Sequence, residues 1–348
     1  MKILVAPNAF KGTHSSVEVA QTWAGVLGEK HEIQTLALSD GGDGFLDAIH
    51  FLIPELSRRT SLVTAPYPEQ RVNADWLWDA SNNIAYIEVA QACGLARATQ
   101  PLRALEATTY GVGELILAAQ KAGAEDIYLG LGGTASTDAG AGALRALGWN
   151  FVNEAGRDIG QDLTSLNRMI VGGSKPPELN LMTDVTNPLL GDQGAAVIFA
   201  PQKGATKKDV ELLEARLAAF WLIARDQFNM NLSFPGSGAA GGLAAGLSLT
   251  GQAHLGSGFD LIADLGDLED KMRWADLVVT GEGAFDSQSM MGKATGRVLS
   301  LAQSQRKKTA VISGTIAPGS LPLVDFSVAL SGRSIRDGSV ELSGQLGV

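Results

Sequence analysis

Carboxylates and lysines stand in short turns, several of them rich in glycine, along much of this chain. The carboxylates are Asp40 and Asp43 in LSDGGDGF, Asp138 in STDAG, Asp184 in TDVTNPL, and Glu282 and Asp286 in GEGAFD. The lysines are Lys11 in PNAFKG, Lys203 in APQKGA and Lys293 in MGKAT. Phosphoryl transfer needs carboxylates for magnesium, lysines that neutralise developing charge, and bare backbone N–H groups. Each residue alone has an ordinary explanation as a turn cap or surface ion pair, so only the set indicates a kinase.

Standard nucleotide motifs match this sequence poorly. MMGKAT at 290–295 has the Gly-Lys pair of a Walker A loop, but Ala294 follows the lysine where Ser or Thr is required. GSGAAG at 236–241 fits the dinucleotide pattern, with Asp260 following at a suitable distance. However, Pro235 precedes that segment where a buried strand should end, so a dinucleotide site stays open only as an alternative. No GxSxG segment occurs, which removes the simplest α/β-hydrolase interpretation.

The composition of the 348 residues is that of a globular enzyme with two ordinary domains. The net charge of -10 argues against a nucleic-acid-binding surface. A single cysteine, Cys93, excludes an internal disulfide, and the start MKILVAPNAF has too short an apolar run for a signal peptide. No apolar run approaches the ~20 residues that cross a bilayer, and the four histidines lie too far apart for a zinc site. The sequence therefore predicts a cytoplasmic protein.

Short apolar runs alternate with helical patterns, which predicts an α/β protein with largely parallel strand pairing. The predicted strands are residues 2–6, 32–38, 83–89, 126–131, 181–185, 277–281 and 309–313. The clearest helical patterns are SSVEVAQTWAGVL, GELILAAQKAGA, DVELLEARLAAFWLIARDQF and TGRVLSLAQSQ. Residues 60–79 instead have the pattern of an antiparallel hairpin that turns near residues 66–70.

Glycine is unusually frequent, at 42 residues, and it clusters in four turns, most of which follow a predicted strand. These turns are DGGDG, GLGGTASTDAGAG, PGSGAAGG and TGEGAFD. In an open α/β sheet, ligands bind outside the carboxyl ends of the strands. Glycine also simply permits unusual turns and close helix packing. Four such turns together, most with carboxylates attached, nevertheless favour a binding site.

Six ordered segments of the chain resemble those of the bacterial type 1 glycerate kinases. They are ILVAPNAFKGTHSSVEVA, LSDGGDGF, TTYGVGELILAAQKAGAEDIYLGLGGTASTDAGAGALRALG, TDVTNPLLGDQGAAVIFAPQKGAT, PGSGAAGGLAAGL and ADLVVTGEGAFDSQSMMGKATGRV. The resemblance runs from Met1 to about Gly314. It implies ATP-dependent phosphorylation of D-glycerate with Mg²⁺, giving 2-phosphoglycerate rather than 3-phosphoglycerate.

The resemblance also implies a two-domain α/β fold. A discontinuous Rossmann-like domain would comprise residues 1–80 and 285–348, and a second α/β domain would be inserted at 81–284. The active site would then lie in a cleft between the two domains. Glycerate and ATP would be the only partners, with neither nucleic acid nor membrane, and the sequence leaves a homodimer open.

The site residues carried over from the family pattern fall into four roles. The catalytic residues would be Asp184, as base or orienter of the attacking hydroxyl, with Lys11 and Lys293 on the substrate carboxylate or transferring phosphoryl group. Substrate binding would fall to Asp40, Gly41, Gly42, Asn187 and Asp286. Nucleotide binding would fall to Gly132, Gly133, Thr134, Gly236, Gly238 and Lys203. Glu282 and Asp138 would hold the metal.

Several positions depart from the family pattern. Asn8 and Ala9 replace the usual Asp-Ser before FKG, Asp43 replaces a Glu, and Ala284 replaces an Arg. The tail SGRSIRDGSVELSGQLGV is short, polar and glycine-rich, and lacks an obvious last helix, which would leave one sheet face less covered. These departures keep two alternatives open: a non-catalytic protein that binds a hydroxy acid or nucleotide, and a kinase of a related sugar acid.

Overall fold

Strands and helices alternate along the chain, as the apolar pattern predicts. The computed structural model describes residues 1–10, 12–286, 289–290, 293–317, 319 and 324–347. The strands there are β1 (Lys2–Val5), β2 (Glu32–Thr35), β3 (Ser57–Thr64), β4 (Arg71–Asp79), β5 (Ile84–Glu88), β6 (Asp126–Gly130), β7 (Asn150–Val152), β8 (Arg168–Ile170), β9 (Glu178–Met182), β10 (Ala253–Gly256), β11 (Leu277–Thr280), β12 (Ala284–Phe285), β13 (Lys308–Ser313), β14 (Thr315–Ile316) and β15 (Phe326–Ala329). The α-helices are α1 (Ser16–Leu27), α2 (Phe45–Leu52), α3 (Ala90–Cys93), α4 (Tyr110–Ala122), α5 (Ala141–Ala146), α6 (Ala195–Phe199), α7 (Lys207–Phe228), α8 (Ala239–Ser248), α9 (Gly258–Leu265), α10 (Leu268–Trp274), α11 (Ala294–Ser304) and α12 (Ile335–Gln345).

The chain divides into two units, of which the first contains both ends of the sequence. It comprises Met1–Asp40, Asp47–Glu55 and Gly258–Val348, and holds a parallel sheet in the order β2-β1-β11-β13-β15. Ile312 of β13 packs with Trp23 of α1, whereas its neighbour Val311 packs with Leu299 of α11. Apolar side chains are therefore buried on both faces, as in other parallel sheets.

The order of this sheet places the second strand along the chain at one edge, followed by the first, third, fourth and fifth. This is a doubly wound order, although not the 3-2-1-4-5-6 order of a Rossmann domain. The strand order reverses between β1 and β11. In doubly wound sheets, ligands bind beside the carboxyl ends of the strands at that reversal.

The second unit comprises Gly41–Leu46 and Leu56–Ser257 and holds a mixed sheet in the order β10-β9-β6-β5-β4-β3. The first four of these strands are parallel, and β4 and β3 add an antiparallel hairpin. This confirms the hairpin predicted at residues 60–79. Helix α4 packs Val112, Leu115, Ile116 and Ala119 into the core at helical spacing and ends at Gly123 in the left-handed conformation.

The two units confirm that the N- and C-terminal segments share one sheet while the middle of the chain forms another. Their limits differ from the predicted residues 1–80 with 285–348 and 81–284. The hairpin joins the middle unit because β4 pairs with β5, with Trp76 opposite Ile87. Strand β11 joins the terminal unit because it pairs with β1. Strand partners, which the composition of the sequence does not reveal, decide both limits.

The polar tail forms a helix, so the expectation of a missing last helix is wrong. The Ser334 hydroxyl caps α12 by accepting the Asp337 N–H, and the Asp337 carboxylate accepts the Ser334 N–H, which completes a capping box. The Trp23 indole N–H of α1 donates to the Ile335 carbonyl over 3.1 Å. Gly338 allows close packing, since a Cβ atom there would meet Leu330 at 2.4 Å. The buried residues of α12 include Gly338 and Ser339 beside Ile335 and Leu342, so the tail lacks the continuous apolar stripe of a typical buried helix.

Gly281 follows β11 at a point where the neighbouring strand leaves no room for a side chain. A Cβ atom on Gly281 would lie 1.7 Å from the carbonyl oxygen of Ile312. We expect Gly281→Ala to lower the free energy of unfolding, measured in urea, by about 2–4 kcal/mol because the backbone must shift. Gly25→Ala is the matched control, because a Cβ atom there meets nothing within 4 Å on the exposed side of α1. That change should raise the same free energy by about 0.5–1 kcal/mol; equal effects of the two substitutions would contradict the packing argument.

Candidate functional site

A cavity of about 560 Å³ lies in the first unit, beside the carboxyl ends of β1 and β11 where the strand order reverses. Its polar lining side chains are Asn8, Thr13, His14, Asp40, Glu282, Asp286, Lys293 and Arg333. Four of these, Asp40, Glu282, Asp286 and Lys293, are predicted site residues. The structure therefore gathers carboxylates and a cation from distant parts of the sequence at the place where this kind of sheet binds ligands.

Backbone pairing beyond the strand ends positions the cavity wall. The N–H of Asn8 donates to the carbonyl of Gly281 over 2.9 Å, and the N–H of Leu38 donates to the carbonyl of Pro7 over 3.0 Å. Three neighbouring segments thus continue side by side past β1, β2 and β11. Asn8, Asp40 and Glu282 follow directly on these segments, so the sheet fixes where their side chains start.

Glu282 is the buried carboxylate of this cavity, with only 9% of its surface exposed, whereas Asp40 and Asp286 are half-buried. Its Oε1 atom has no hydrogen-bond partner among the described residues. Burial raises the pKa of the Glu282 carboxyl, while the hydroxyl of Ser289 and the charge of Lys293 oppose that rise. A buried acceptor without a donor is costly. A ligand cation or hydroxyl would remove that cost.

These carboxylates fit a magnesium ion shared with a phosphate substrate. Mg²⁺ is usually held by one or two protein carboxylates together with substrate phosphates and water. Glu282 offers the unpartnered oxygen, and Asp40 and Asp286 line the same cavity. Across the part of the chain that the structure describes, no group of three or more His, Cys, Asp or Glu side chains could hold a metal ion. One or two of these carboxylates would therefore have to share the ion with phosphate oxygens and water.

Asp184 and Asn187 follow β9 in the second unit. The Ser257 hydroxyl donates to Asp184 Oδ1 over 2.6 Å, which restrains the carboxylate. The side-chain amide of Asn187 donates to the backbone carbonyl of Gln193 over 2.8 Å. The backbone carbonyl of Asn187 accepts the N–H of Gly238 over 2.9 Å. Asn187 therefore holds two loops together, and its predicted contact with substrate stays a prediction.

The glycines of the predicted substrate and nucleotide turns pack against other loops of the second unit. A Cβ atom on Gly132 would lie 2.2 Å from Gly42, and one on Gly41 would lie 2.4 Å from the carbonyl of Met182. Gly238 is similarly close to the carbonyl of Pro188, at 2.3 Å. Loop packing alone thus requires glycine at these positions. Their predicted contacts with ligands remain open.

Two adjoining turns of the second unit contain residues in the left-handed region. Ala139 has φ of 53° and Ala240 has φ of 53°, and Gly241 and Gly242 continue the second turn at 68° and 89°. The N–H of Ala139 donates to the carbonyl of Gly241 over 3.1 Å, so the turns support each other. Strained residues of this kind cluster at ligand sites. Both turns belong to segments predicted to bind nucleotide.

Asp138, a predicted metal ligand, is half-buried and hydrogen-bonded by the fold. It accepts hydrogen bonds from the N–H groups of Thr109, Gly140 and Gly142 over 2.8, 3.1 and 3.1 Å, and from the Thr109 hydroxyl. Burial raises the pKa of Asp138, and these donors oppose the rise. These bonds give Asp138 a role in holding its turn, and its predicted role as a metal ligand stays a prediction.

Lys203, a predicted nucleotide contact, is buried. Its ammonium donates to the carbonyl of Ser136 and lies 3.4 Å from the Thr134 hydroxyl. Burial lowers the pKa of Lys203 to about 8, while Cys93 and Asp138 act in the opposite direction. Lys203 therefore fastens the loop predicted to bind nucleotide, and its own predicted contact with nucleotide stays a prediction.

Sequence reasoning missed some of the cavity, and one predicted residue cannot be placed. Lys11 lies outside the described residues. His14 and Arg333 line the cavity although neither was predicted, and Asn8 was noted only as a departure. Arg333 sits in the glycine turn SGRS, after β15. The rule that ligands bind where parallel strands end would have found it had β15 been recognised.

Comparison with known proteins decides the family. The model of the glycerate kinase family matches residues 3–331. The Escherichia coli protein named glycerate 2-kinase is 35% identical over 328 residues, covering 91% of this chain and 86% of that protein. The chain belongs to the glycerate kinase family. It is accordingly a phosphotransferase.

Further relatives agree with this family assignment. The Bacillus subtilis protein named glycerate kinase is 36% identical over 335 residues, covering 91% of this chain and 86% of that protein. A crystal structure of a Salmonella typhimurium LT2 protein assigned as glycerate kinase 2 superimposes with a TM-score of 0.81 and 31% identity, covering 99% of this chain and 98% of that one. The similarity therefore extends over both units of this glycerate kinase family member.

Among the described residues, no helix combines the length and the apolar character that crossing a bilayer requires.

The buried ammonium of Lys203 makes stability depend on pH. Its pKa in the folded state, about 8, lies below the ordinary 10.5, so folding a charged Lys203 is costly below pH 8. This cost falls as pH rises from 8 to 10.5, so the wild type should gain about 3 kcal/mol over Lys203→Met across that window. Urea unfolding at several pH values measures the difference. Lys207→Met, at an exposed position, should leave the pH dependence unchanged, and parallel curves for wild type and Lys203→Met would refute the assignment.

Proposed function

We propose that this member of the glycerate kinase family transfers the γ-phosphoryl group of ATP to D-glycerate and forms 2-phosphoglycerate. The observation that carries the proposal is the cavity that gathers Asp40, Glu282, Asp286 and Lys293 at the strand-order reversal. Carboxylates there can accept hydrogen bonds from hydroxyls, and cations can bind a carboxylate, which are the two groups of a small hydroxy acid. The name of the Escherichia coli relative, glycerate 2-kinase, supports this substrate and product.

The proposed reaction is a displacement at phosphorus. The C2 hydroxyl oxygen of glycerate bonds to the γ-phosphorus, the bond from that phosphorus to the bridging oxygen breaks, and ADP leaves. Asp184 is the proposed base that accepts the hydroxyl proton. Its hydrogen bond from Ser257 holds the carboxylate in one orientation, which a general base requires.

The cavity residues divide the remaining work. Magnesium, when bound with ATP, would neutralise charge on the phosphate oxygens. Glu282 is the proposed protein ligand for it because its Oε1 atom lacks a partner among the described residues. Asp40 and Asp286 would orient the substrate hydroxyls. Lys293, which precedes α11, would carry positive charge toward the transferring phosphoryl group.

The nucleotide would bind at the glycine turns of the second unit. We propose Gly132, Gly133 and Thr134 in one turn, and Gly236 and Gly238 in the other. The left-handed residues Ala139 and Ala240 support this choice, because strained backbone is kept where it serves binding. Lys203 would support the first turn from beneath.

A coupled assay tests the proposed function directly. Purified protein with ATP, Mg²⁺ and D-glycerate should form ADP and 2-phosphoglycerate, and phosphorus NMR of the product distinguishes it from 3-phosphoglycerate. Replacing glycerate by longer sugar acids tests the alternative substrate class. No phosphorylated product with any of these acids would contradict the proposal and favour the non-catalytic alternative.

The role of Asp184 can be tested separately from the substrate. We expect Asp184→Asn to lower turnover at least ~100-fold, because the amide cannot accept the hydroxyl proton. The melting temperature should change little, since the amide oxygen can still accept from Ser257. Asp192→Asn, an exposed carboxylate in the following turn, is the matched control and should keep wild-type turnover. Near-normal turnover of Asp184→Asn would remove this residue from the mechanism.

A further inference from the structure

Arg333 lines the cavity of the first unit but belongs to none of the predicted site motifs. It lies in the turn between β15 and α12, next to Ser331 and Gly332, which have φ of 50° and 89°. The match to the family model ends at residue 331, so it does not reach Arg333. Its position on the cavity wall is therefore a feature of the structure of this chain.

The guanidinium of Arg333 is fixed before any ligand binds. Its Nε donates to the carbonyl of Leu330 over 3.0 Å and its Nη2 to the carbonyl of Ala329 over 2.7 Å. Its Nη1 donates to Glu341 over 2.6 Å. Within the described residues these bonds use three of the five N–H groups of an arginine. One N–H on each terminal nitrogen is left, and the group stays in one orientation on the wall.

The positive charges in the cavity have different surroundings. Lys293 and Arg333 are the lysine and arginine side chains among its described lining residues. The charge of Lys293 acts on the buried Glu282 carboxylate, so part of it offsets a charge of the protein itself. Glu341, the ion-pair partner of Arg333, does not line the cavity. Arg333 thus faces the cavity without a hydrogen bond to the cavity carboxylates.

We propose that Arg333 binds the carboxylate of the acid substrate and sets the requirement for a carboxylic acid. The inference rests on the proposed function, since it assumes that the acid occupies this cavity. A planar guanidinium is well suited to the two oxygens of a carboxylate. A phosphate group of ATP offers the same pair of anionic oxygens, so the test compares the two substrates.

The test replaces the guanidinium in the full chain and follows both substrates. Arg333→Met should raise the KM and the Kd for D-glycerate about 10- to 100-fold, the scale for losing a hydrogen-bonded ion pair. The KM for ATP should stay within about twofold, below the effect of one hydrogen bond. Arg333→Lys keeps the positive charge but not the planar pair of N–H donors. Its KM and Kd for D-glycerate should lie between those of the wild type and Arg333→Met. Arg336→Met is the matched control, because Arg336 is exposed on α12 and does not line the cavity.

A second readout separates recognition from support of the turn. D-glyceramide has the shape of glycerate without its negative charge, so the wild type should prefer the acid, and Arg333→Met should lose most of that preference. A change in melting temperature with an unchanged acid-to-amide ratio would mean that Arg333 only holds its turn, which overturns the proposal. A rise in the KM for ATP alone would overturn it too.

The outcomes also distinguish this proposal from the proposed function. If the wild type phosphorylates D-glycerate and Arg333→Met matches its KM, only the role of Arg333 fails. Calorimetric titration with D-glycerate covers the case in which the wild type shows no turnover. Binding by the wild type that Arg333→Met loses would then uphold Arg333 and reject the kinase activity. No binding by the wild type would reject both.

Discussion

The pairing of β1 with β11 is the contact on which the first unit depends. It joins Ile3, Leu4 and Val5 to Leu277, Val278 and Val279, from nearly opposite ends of the sequence. The Thr280 hydroxyl adds a bond of 2.6 Å to the Ala6 carbonyl beyond the last paired residues. Closing so long a loop is costly in entropy, although the cost grows only slowly with loop length. Apolar burial on both faces of these strands offsets it.

The same pairing brings Asn8 and Glu282 to one cavity, because each follows its strand by only a few residues. Such proximity needs backbone segments that approach one another without intervening side chains. Gly281 allows this close backbone approach beside β13, and Gly41 and Gly132 allow it between loops of the second unit. Much of the high glycine content is therefore a requirement of loop packing. The glycine pattern did mark turns at strand ends, and loop packing accounts for glycine at several of them, while their proposed contacts with ligand stay open.

Local features of the fold could be predicted from the sequence, and pairing between distant segments could not. Ser15 and Glu18 form the capping box that opens α1 where the serine cap was expected. The hairpin β3–β4 was equally visible, because strand alternation and turn residues lie within one short segment. Nothing local shows that β4 continues a sheet with β5, so the limits of the two units differ from those predicted. Helix α12 was missed because its buried residues include Gly338 and Ser339, which do not form an apolar stripe.

At the candidate site, likewise, the types of the residues could be predicted from the sequence, and the surroundings of each residue could not. Asp138 and Glu282 are both carboxylates in glycine turns, and no local sequence feature separates them. Thr109, twenty-nine residues away, supplies donors that satisfy Asp138, whereas Glu282 keeps an oxygen without a partner among the described residues. Buried polar groups are normally satisfied, so an exception in a cavity indicates a ligand, while a satisfied group indicates structure. Counting hydrogen-bond donors in three dimensions therefore separates carboxylates whose oxygens the fold already uses from carboxylates with an oxygen available to a ligand.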